Sequence, residues 1–383
     1  MKKLKDFNYK GKKVILRCDL NVSIKDGKII SDERIVKSLS TINYLINENA
    51  KIIIMSHLGK VKTKEDMKDK SLYIVYERLS ELLKTNVYFS SATKGHILEE
   101  KINNLKEKEV LLVENTRFED IDDKKESNCD DNLSKYWASL AGYFVNDAFG
   151  LSHRKHASNY GISKYLPTSI GLLMESEIEN LNPLINPKPN YVIIMSGAKL
   201  EDKLKIIKDI LPKCNYLLLG GALANSFLAI NYNVGKSLYN NDNIEELKNL
   251  LSIYKEKIIL PIDVKVLSNN NVINKNIDSI SNDEIIYDIG EETINLYKKY
   301  IDIANIIFLN GTVGKYEEEG FETGTRSILE YLSKSNATTV IGGGDAISSA
   351  KYFNINNFTY ISTGGGATLE YISKQKINCF EEE

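Results

Sequence analysis

The sequence has few cysteines, few arginines and no long apolar run. Its four cysteines (Cys18, Cys129, Cys214 and Cys379) lie far apart and form no Cys-x-x-Cys pair, which argues against a zinc knuckle and against a secreted disulfide framework. No apolar run approaches the ~18 residues of a membrane span, and the basic start MKKLKDFNYKGKK leads into no signal-peptide core. These absences predict a cytoplasmic protein that does not enter the membrane.

An excess of charge of one sign is also missing. The chain has 50 basic and 52 acidic residues, so no overall field attracts it to nucleic acid or to an anionic membrane surface. Any anion that it binds must be held by a local cluster. Its 383 residues suit two domains, at roughly 150 residues per domain.

Short apolar runs rich in β-branched residues alternate with helix-length amphipathic stretches. The runs are KVILR, AKIIIMS, VLLVEN, YFVND, YVIIMSG, YLLLGG, KIILP, NIIFLNG, TTVIGGGD and TYISTGGG. Continuous apolar strands separated by helices indicate parallel sheets that are covered on both faces. The sequence therefore predicts an α/β protein with two doubly wound, Rossmann-like parallel-sheet domains.

Proline marks the expected junction between the domains. Four of the six prolines fall between residues 167 and 189, and NPLINPKPN follows the helix-like stretch GLLMESEIENL. We expect an N-terminal domain at 1–169 and a C-terminal domain at 170–368, joined by a helical hinge and separated by an open cleft.

The segments after the strands differ between the two halves. RCDLN, SHLGK, ENTRF and NDAFGLSHRKH in the first half are polar or cationic, whereas SGAKLEDK, GGA, NGTVG, GGGD and GGGA in the second half are rich in glycine. Ligands of open α/β sheets bind at the carboxyl ends of the strands. One half therefore suits a small anion, and the other suits phosphates and a flat base.

Arginine positions are informative because there are six arginines against 44 lysines. Four of the six lie in or beside strand-end segments of the first half: Arg17, Arg34, Arg117 and Arg154. The rigid guanidinium fork suits bidentate binding of phosphate or carboxylate, so together they predict a shared anion site, although each one alone could form a surface ion pair.

His153 and His156 flank Arg154, and three functions are open to this group. A metal site needs further ligands, and the intervening arginine would repel a cation. A catalytic pair needs a nucleophile or a mobile proton, which no neighbour supplies. Anion binding with help from His57 fits best, while a buried structural role remains open for His153 or His156.

Other strand ends carry candidate ligands with simpler alternatives. Asp19 and Asn21 could bind a substrate hydroxyl, or could cap a turn. Lys199 and Lys203 share a face at the start of a helix and would attract phosphate, but solvated lysines are common in this chain. In VIGGGDAISSA, Asp345 follows a glycine turn and could reach Mg²⁺ beside a phosphate, or could cap its helix.

With these residues in view, the chain closely resembles the phosphoglycerate kinase family. The matching segments are collinear over nearly the whole length: RCDLNV, SDERI, SHLGK, VENTRF, VNDAFGLSHRKHAS, SGAKLEDK, LLGGALANSFL, NGTVGKYEEEGF, GGGD and STGGGATLE. The resemblance implies Mg²⁺-dependent phosphoryl transfer between 1,3-bisphosphoglycerate and ADP, giving 3-phosphoglycerate and ATP, with closure of two hinged domains. It also implies a monomer and a C-terminal segment, about 369–383, that returns to the first domain.

The resemblance also implies roles for individual residues. Arg34 and Lys199 would be catalytic. The substrate would contact Asp19, Asn21, Arg34, His57, Lys60, Arg117, Arg154 and His156. The nucleotide would contact Lys199, Lys203, Gly220, Gly221, Asn310, Glu317, Gly342, Gly343, Gly344, Asp345 and Ala346, and Asp345 would also hold Mg²⁺.

Several positions depart from the family pattern. Lys60 replaces an arginine, which turns one bidentate phosphate contact into a point charge, and Ala346 replaces a threonine at the nucleotide phosphates; the other departures are Val61, Ser196, Ala222, Thr312 and the C-terminal KQKINCFEEE. Two alternatives therefore stay open. One is a nucleotide-binding scaffold without turnover, and the other is a kinase for a different carboxylate.

Overall fold

The computed structural model describes residues 1–197, 200–374 and 377 of the chain. The described residues form two compact units, residues 1–179 with Ile377 and residues 180–374. Lys199, one of the two predicted catalytic residues, lies outside the described residues.

The strands of the first unit include every run that we predicted in this half. They are β1 (Lys13–Arg17), β2 (Ile24–Lys25), β3 (Lys28–Ile29), β4 (Lys51–Met55), β5 (Val87–Ser90), β6 (Val110–Val113), β7 (Tyr143–Asn146) and β8 (Thr168–Ile170). Six of them form a parallel sheet in the order β5-β6-β4-β1-β7-β8, and β2 pairs with β3 in a hairpin.

Helices cover both faces of this sheet. They are α1 (Glu33–Asn47), α2 (Asp66–Asp69), α3 (Tyr73–Leu82), α4 (His96–Asn104), α5 (Asp131–Ser139) and α6 (Leu172–Ile185). Val14 and Leu16 of β1 pack in the same core cluster as residues of α1 and α3. The intervening Ile15 packs with residues of α4 and α5 on the opposite face. This alternation explains why β1 is apolar along its length.

The second unit contains a similar parallel sheet and a smaller antiparallel one. Its strands are β9 (Tyr191–Ser196), β10 (Tyr216–Gly220), β11 (Ile258–Ile259), β12 (Asp263–Ser268), β13 (Asn271–Asn276), β14 (Ile285–Ile289), β15 (Ile306–Asn310), β16 (Thr338–Gly342) and β17 (Tyr360–Ile361). The parallel sheet has the order β11-β10-β9-β15-β16-β17, and the antiparallel sheet has the order β13-β12-β14. We had not predicted the antiparallel sheet.

The helices of the second unit complete its core. They are α7 (Leu200–Ile210), α8 (Gly221–Leu228), α9 (Ile244–Ile253), α10 (Glu291–Asp302), α11 (Thr323–Ser333), α12 (Gly344–Tyr352) and α13 (Gly366–Lys374). Val192 and Ile194 of β9 pack with α10, α11 and α12. Ile193 and Met195 are also fully buried, so this sheet is covered on both faces.

Helix α6 runs across the boundary between the units, which falls after Glu179. The helix continues through Pro183, whereas we expected the proline-rich stretch to follow it. Proline removes the hydrogen bond to the carbonyl four residues earlier, here that of Glu179, but one lost bond does not end a helix whose apolar residues are buried. Residues 170–179 thus belong to the first unit rather than to the second.

Residues 369–374, which we expected to return to the first unit, lie in α13 and bond within the second unit. Tyr371 donates a hydrogen bond to Asn182 at 2.8 Å, and Ser373 donates one to Asp209. Lys213 donates to the carbonyls of α13. These bonds keep α13 against α7, and the remainder of the predicted return segment is outside the described residues except Ile377.

Candidate functional site

The polar segments of the first unit converge because their strands are neighbours in register. Arg17, the last residue of β1, is paired with Met55 on β4 and with Asn146 on β7. The segments that follow these strands therefore leave the sheet at the same edge. The first turn of α1 and the Thr116–Asp120 turn after β6 bring further side chains to it.

Arg17 is fully buried at this edge. It donates hydrogen bonds to the carbonyls of Cys18 (2.7 Å) and Met55 (3.1 Å), and its Nε donates to the Ser158 hydroxyl (2.8 Å). Its Nη2 lies 3.5 Å from His57 Nδ1. Since arginine only donates, Nδ1 must accept, and the proton of the neutral His57 ring lies on Nε2.

Asp19, Asn21 and Arg34, three of the residues expected to contact the substrate, also meet at this edge. Arg34 forms an ion pair with Asp19. The Asp19 carboxylate accepts the backbone N–H of Asn21 at 3.3 Å, and the Asn21 side chain accepts the N–H of Gly59 at 2.8 Å. The turn-capping role that we left open for this pair is therefore present, and the Arg34 contact adds a cation to it.

His57 and His156 are both buried among arginines. Burial, with the charges of Arg17 and Arg117, holds the pKa of His57 well below its usual range. Burial, with the charges of Arg117 and Arg17, lowers the pKa of His156 to about 3. Both rings are therefore neutral at pH 7 and offer N–H donors to an anion without adding charge.

The remaining cations of this half differ in exposure. Arg117 is buried, its Nε has no hydrogen-bond partner among the described residues, and its Nη1 lies 3.8 Å from Asp120. Arg154 is exposed and donates to His153 Nε2 at 3.0 Å. Lys60 is exposed beside Gly59. A buried guanidinium with an unused N–H donor can still donate a hydrogen bond to an anion.

We call Arg17, Arg34, Arg117, Arg154, His57 and His156 the anion cradle. The mutual charge effects on the two histidine pKa values link all six. The structure thus brings the predicted substrate residues of the first unit together. An arrangement of this kind can bind a phosphate or a carboxylate.

The second unit contains a cavity of about 460 Å³ at the carboxyl end of its parallel sheet. Apolar side chains of Leu238, Val264, Ile286 and Val313 line it. Gly221 and Ala222 at the start of α8 line the same cavity. Its walls come partly from β12 and β14, so the antiparallel sheet that we did not predict shapes the site. The apolar walls and this volume suit a small planar group.

Lys203 and Asn310 lie next to Ser196, which lines this cavity. Lys203 donates to the Ser196 carbonyl and to Asn310 Oδ1 (3.1 Å), and Asn310 in turn donates to the Gly342 carbonyl at 3.0 Å. Burial lowers the pKa of Lys203 to about 8, although the charge of Asp345 opposes the shift. A bound anion would stabilise the charged form of this amine, as it would stabilise the buried charge of Arg117.

The glycine turn before α12 has a steric cause. Gly343 has a φ of 93°, and a Cβ there would lie 2.7 Å from Asn310 Nδ2. Asp345 follows in the first turn of α12, exposed and lining the cavity together with Glu317. Gly344 is also exposed at the start of α12. Backbone N–H groups at such a helix start bind phosphate.

Two of the residues predicted to contact the nucleotide, Ala346 and Gly220, could contact it only through their backbone. The side chain of Ala346 is fully buried in the core of the second unit, so only its amide is available. Gly220 lies against Val313, where a Cβ would come within 2.8 Å of the Val313 Cα.

Asp288 is a cavity residue that we did not predict. Its buried carboxylate accepts the N–H groups of Gly324 (2.7 Å) and Ile289 (2.9 Å). Burial raises its pKa to about 7. Gly314 and Gly324 both pack so closely on it that a Cβ would fall within about 2.1 Å of Oδ1.

Comparison with known proteins places the whole chain in one group. The model of the family described as phosphoglycerate kinase matches residues 4–375. A phosphoglycerate kinase of Listeria welshimeri is 46% identical over 380 residues, which cover 97% of this chain and 96% of that protein. One of Fusobacterium nucleatum is 45% identical over 384 residues, with coverage of 97% and 96%.

Solved structures give the same result. The structure of phosphoglycerate kinase from Coxiella burnetii is similar with a TM-score of 0.87 and 34% identity, and the match covers 98% of this chain and 97% of that one. The crystal structure of the Pyrococcus horikoshii phosphoglycerate kinase has a TM-score of 0.86 and 33% identity, with coverage of 99% and 97%.

Proposed function

The chain belongs to the phosphoglycerate kinase family, and from that premise we propose how its two units share the reaction. The enzyme transfers a phosphoryl group between 1,3-bisphosphoglycerate and ADP in glycolysis, giving 3-phosphoglycerate and ATP. We propose that the anion cradle binds the three-carbon acid and that the cavity of the second unit binds the nucleotide. The buried, unpartnered Nε of Arg117 is the observation that carries the first assignment.

For the three-carbon acid, the cradle supplies different contacts to each end. Arg117, Arg154, His57 and His156 would hold the non-transferred phosphate, because neutral ring donors and guanidinium forks both suit its oxygens. Asp19 and Asn21 would orient the hydroxyl end. Lys60 would add an exposed point charge. In the first unit, Arg34 would then remain to act on the reacting carboxyl group.

For the nucleotide, the apolar walls of the cavity would hold the base and Glu317 would bind the ribose. Lys203, Asn310, Gly342–Gly344 and the amides at the start of α12 would bind the phosphates. The lowered pKa of Lys203 supports this assignment, since a bound phosphate would relieve the cost of its buried charge. We propose that Lys199 follows the transferring phosphoryl group.

The residues present fit a magnesium ion that is held mainly by the nucleotide. In the described part of the chain, no group of three or more acidic, histidine or cysteine side chains could enclose a metal ion. Two exposed carboxylates, those of Asp345 and Glu317, line the cavity, and the charge of Asp345 acts on the nearby Lys203. Mg²⁺ commonly binds through one carboxylate and substrate phosphates, and it would neutralise phosphate charge there.

The chemistry needs alignment rather than a base. The carboxylate of 3-phosphoglycerate, with a reference pKa of roughly 3 to 4, is already ionised at neutral pH. The protein must bring this carboxylate in line with the transferring phosphorus and offset the crowded negative charge. Arg34, Lys199 and Lys203 would supply that charge. Water must be excluded as well, because it would hydrolyse the acyl phosphate.

The deciding experiment measures Mg²⁺-dependent ATP consumption with 3-phosphoglycerate, coupled to reduction of the acyl phosphate. We expect turnover in the wild type and a loss of about 100-fold or more in kcat for Arg34→Ala and Lys199→Ala. Arg326→Ala is the matched control, because Arg326 is an exposed arginine that lies over the Phe353 ring in the second unit. Its kcat should stay within about twofold of wild type.

Two results would contradict the assignment. A folded wild type that binds Mg-ATP without turnover would be a nucleotide-binding scaffold. Turnover with another carboxylic acid in preference to 3-phosphoglycerate would indicate a different acceptor, and Lys60→Arg would then test whether the lost guanidinium explains it.

We further propose a cytoplasmic monomer, from the dispersed cysteines and the family pattern. Among the described helices, none has the length and apolar character needed to cross a membrane.

A further inference from the structure

Glu126 is a buried carboxylate that neither the motifs nor the proposed function uses. It is fully buried and lies in the segment between the Thr116–Asp120 turn and α5. A buried carboxylate is costly unless several partners satisfy it. Each of its partners lies next to a residue of the anion cradle.

Three separate segments meet at this carboxylate. It accepts the backbone N–H of Ser158 (2.9 Å), the Ser158 hydroxyl (2.5 Å) and the Thr116 hydroxyl (3.2 Å). Thr116 directly precedes Arg117. The backbone carbonyl of Glu126 also accepts the N–H of Ala157 at 2.9 Å, next to His156.

Ser158 connects the Glu126 carboxylate to the end of strand β1. Its hydroxyl donates to Glu126 and accepts from the Nε of Arg17 at 2.8 Å. A hydroxyl has one proton to donate and can accept in return, so Ser158 bridges the two buried charges. Through this bridge, Glu126 is connected to the end of β1, two residues before Asp19.

We propose that Glu126 is a positioning residue for the three-carbon acid, because it joins the loops that carry Arg117 and His156 to the buried guanidinium of Arg17. It does not touch the substrate. Its carboxylate fixes the spacing of the cradle, in which the four arginines carry like charges that repel one another. This inference rests on the proposed assignment of the cradle to the acid substrate.

Simple electrostatics predicts the opposite effect of removing this charge. Glu126→Gln takes one negative charge away from an anion site, and Coulomb's law alone would then strengthen anion binding. If Glu126 positions the cradle, binding weakens, because the amide nitrogen of glutamine cannot accept a hydrogen bond, and either the Ser158 N–H or the Ser158 and Thr116 hydroxyls then lose their acceptor. The sign of the change therefore separates the two explanations.

The experiment is steady-state kinetics of the full chain with each substrate varied in turn. For Glu126→Gln we expect the KM for 3-phosphoglycerate to rise about tenfold or more, with the KM for ATP unchanged within about twofold. The matched control is Glu109→Gln, since Glu109 is a buried carboxylate that bonds Asn86, Tyr88 and Lys106 at the opposite end of the sheet. Glu109→Gln should leave both KM values unchanged.

Two further variants make every outcome informative. If Glu126→Gln fails to fold, Ser158→Ala decides, because it removes the bridge and keeps both charges; a raised KM for 3-phosphoglycerate would support the proposal. An unchanged or lower KM for that acid in a folded Glu126→Gln or Ser158→Ala variant would overturn it. Arg117→Ala tests the cradle itself. If Arg117→Ala also leaves this KM unchanged, the assignment of the cradle fails along with the inference.

Discussion

Lys203, which we propose binds phosphate, shows how burial alters the charge of a side chain. Its amine is held between Ser196 and Asn310, and burial lowers its pKa to about 8. In the free protein the amine therefore loses its proton as the pH rises above 8. A bound phosphate favours the charged form and raises the pKa again, so nucleotide binding above pH 8 must be coupled to proton uptake.

This coupling predicts that MgADP binds about tenfold more weakly at pH 9 than at pH 7, where the amine is largely charged, with an intermediate affinity at pH 8, where about half of the amine is charged. The measurement is titration calorimetry at pH 7, 8 and 9 in buffers that differ in ionisation enthalpy, which counts the protons taken up. Adenosine is the control ligand because it carries no phosphate, and its affinity should not change over this range. Equal MgADP affinity at all three pH values, without proton uptake, would contradict the role of Lys203.

The cradle also shows which single residues could be predicted from the sequence. Arg34, Arg117 and Arg154 could be predicted because arginine is scarce in this chain and these three follow strand-end motifs. Glu126 and Asp288 could not, because their importance depends on burial and on partners distant in the chain. Arg17 could be predicted in part. The scarcity of arginine singles it out, but only the structure shows that its guanidinium forms hydrogen bonds inside the fold.

Among the secondary-structure elements, those fully inside the sheets were predictable. Strands such as β1, β4 and β9 are buried on both faces and therefore appear as continuous apolar runs. Strand β13 is exposed at almost every position and has the sequence NVINKN. An exposed edge strand has no apolar pattern to detect. The antiparallel sheet, and with it one wall of the cavity in the second unit, was missed for this reason.

The start of α6 depends on a buried carboxyl group at the end of β7. Asp147 accepts the N–H of Met174 in the first turn of α6 at 3.0 Å. Gly171 packs so closely that a Cβ would lie 2.2 Å from Oδ1. Burial raises the pKa of Asp147 to about 7. Its other oxygen has no hydrogen-bond partner among the described residues, and burial disfavours the charged form although hydrogen bonds to the carboxyl group oppose the shift.

The raised pKa predicts a pH-dependent stability. The native state binds this proton more tightly than the unfolded chain, so the contribution of Asp147 is complete below about pH 4 and is lost as the pH rises through 7. Asp147→Asn stays neutral. Relative to wild type, its free energy of unfolding should therefore improve between pH 4 and pH 8, by an amount on the order of 3 kcal/mol.

The single tryptophan provides the measurement for this prediction. Trp137 is fully buried in the core of the first unit, so its fluorescence during urea unfolding reports on that unit. Asp288→Asn is the matched control, because Asp288 is a buried carboxyl with a similarly raised pKa in the second unit. Its Trp137-detected transition should follow the wild-type pH dependence. A constant difference between Asp147→Asn and wild type from pH 4 to pH 8 would exclude the shift.

Because the charge of the whole molecule is nearly balanced, local clusters of positive charge must bind the anions. Four of the six arginines contribute to the anion cradle, and a buried lysine and a helix start serve the second unit. Each ligand should therefore protect its own unit from hydrogen exchange.

The transfer itself adds a further requirement, because reacting atoms must lie about 3–3.5 Å apart and in line. Both units must then adopt one fixed relation, and α6 is the helix that runs from one to the other.

Hydrogen exchange measured by mass spectrometry tests whether each ligand binds to its own unit and whether the two ligands together restrict α6. MgADP alone should slow exchange at 220–225, 286–289 and 312–317, and 3-phosphoglycerate alone should slow it in the loops after β1, β4 and β7. The two ligands together carry no transferable phosphoryl group and so form a stable complex. With both bound, α6 should be protected beyond the sum of the separate effects, because the fixed relation of the units restricts it. If α6 exchanges in the ternary complex as it does with either ligand alone, transfer does not depend on this helix, and the coupling between the two sites must run through another part of the chain.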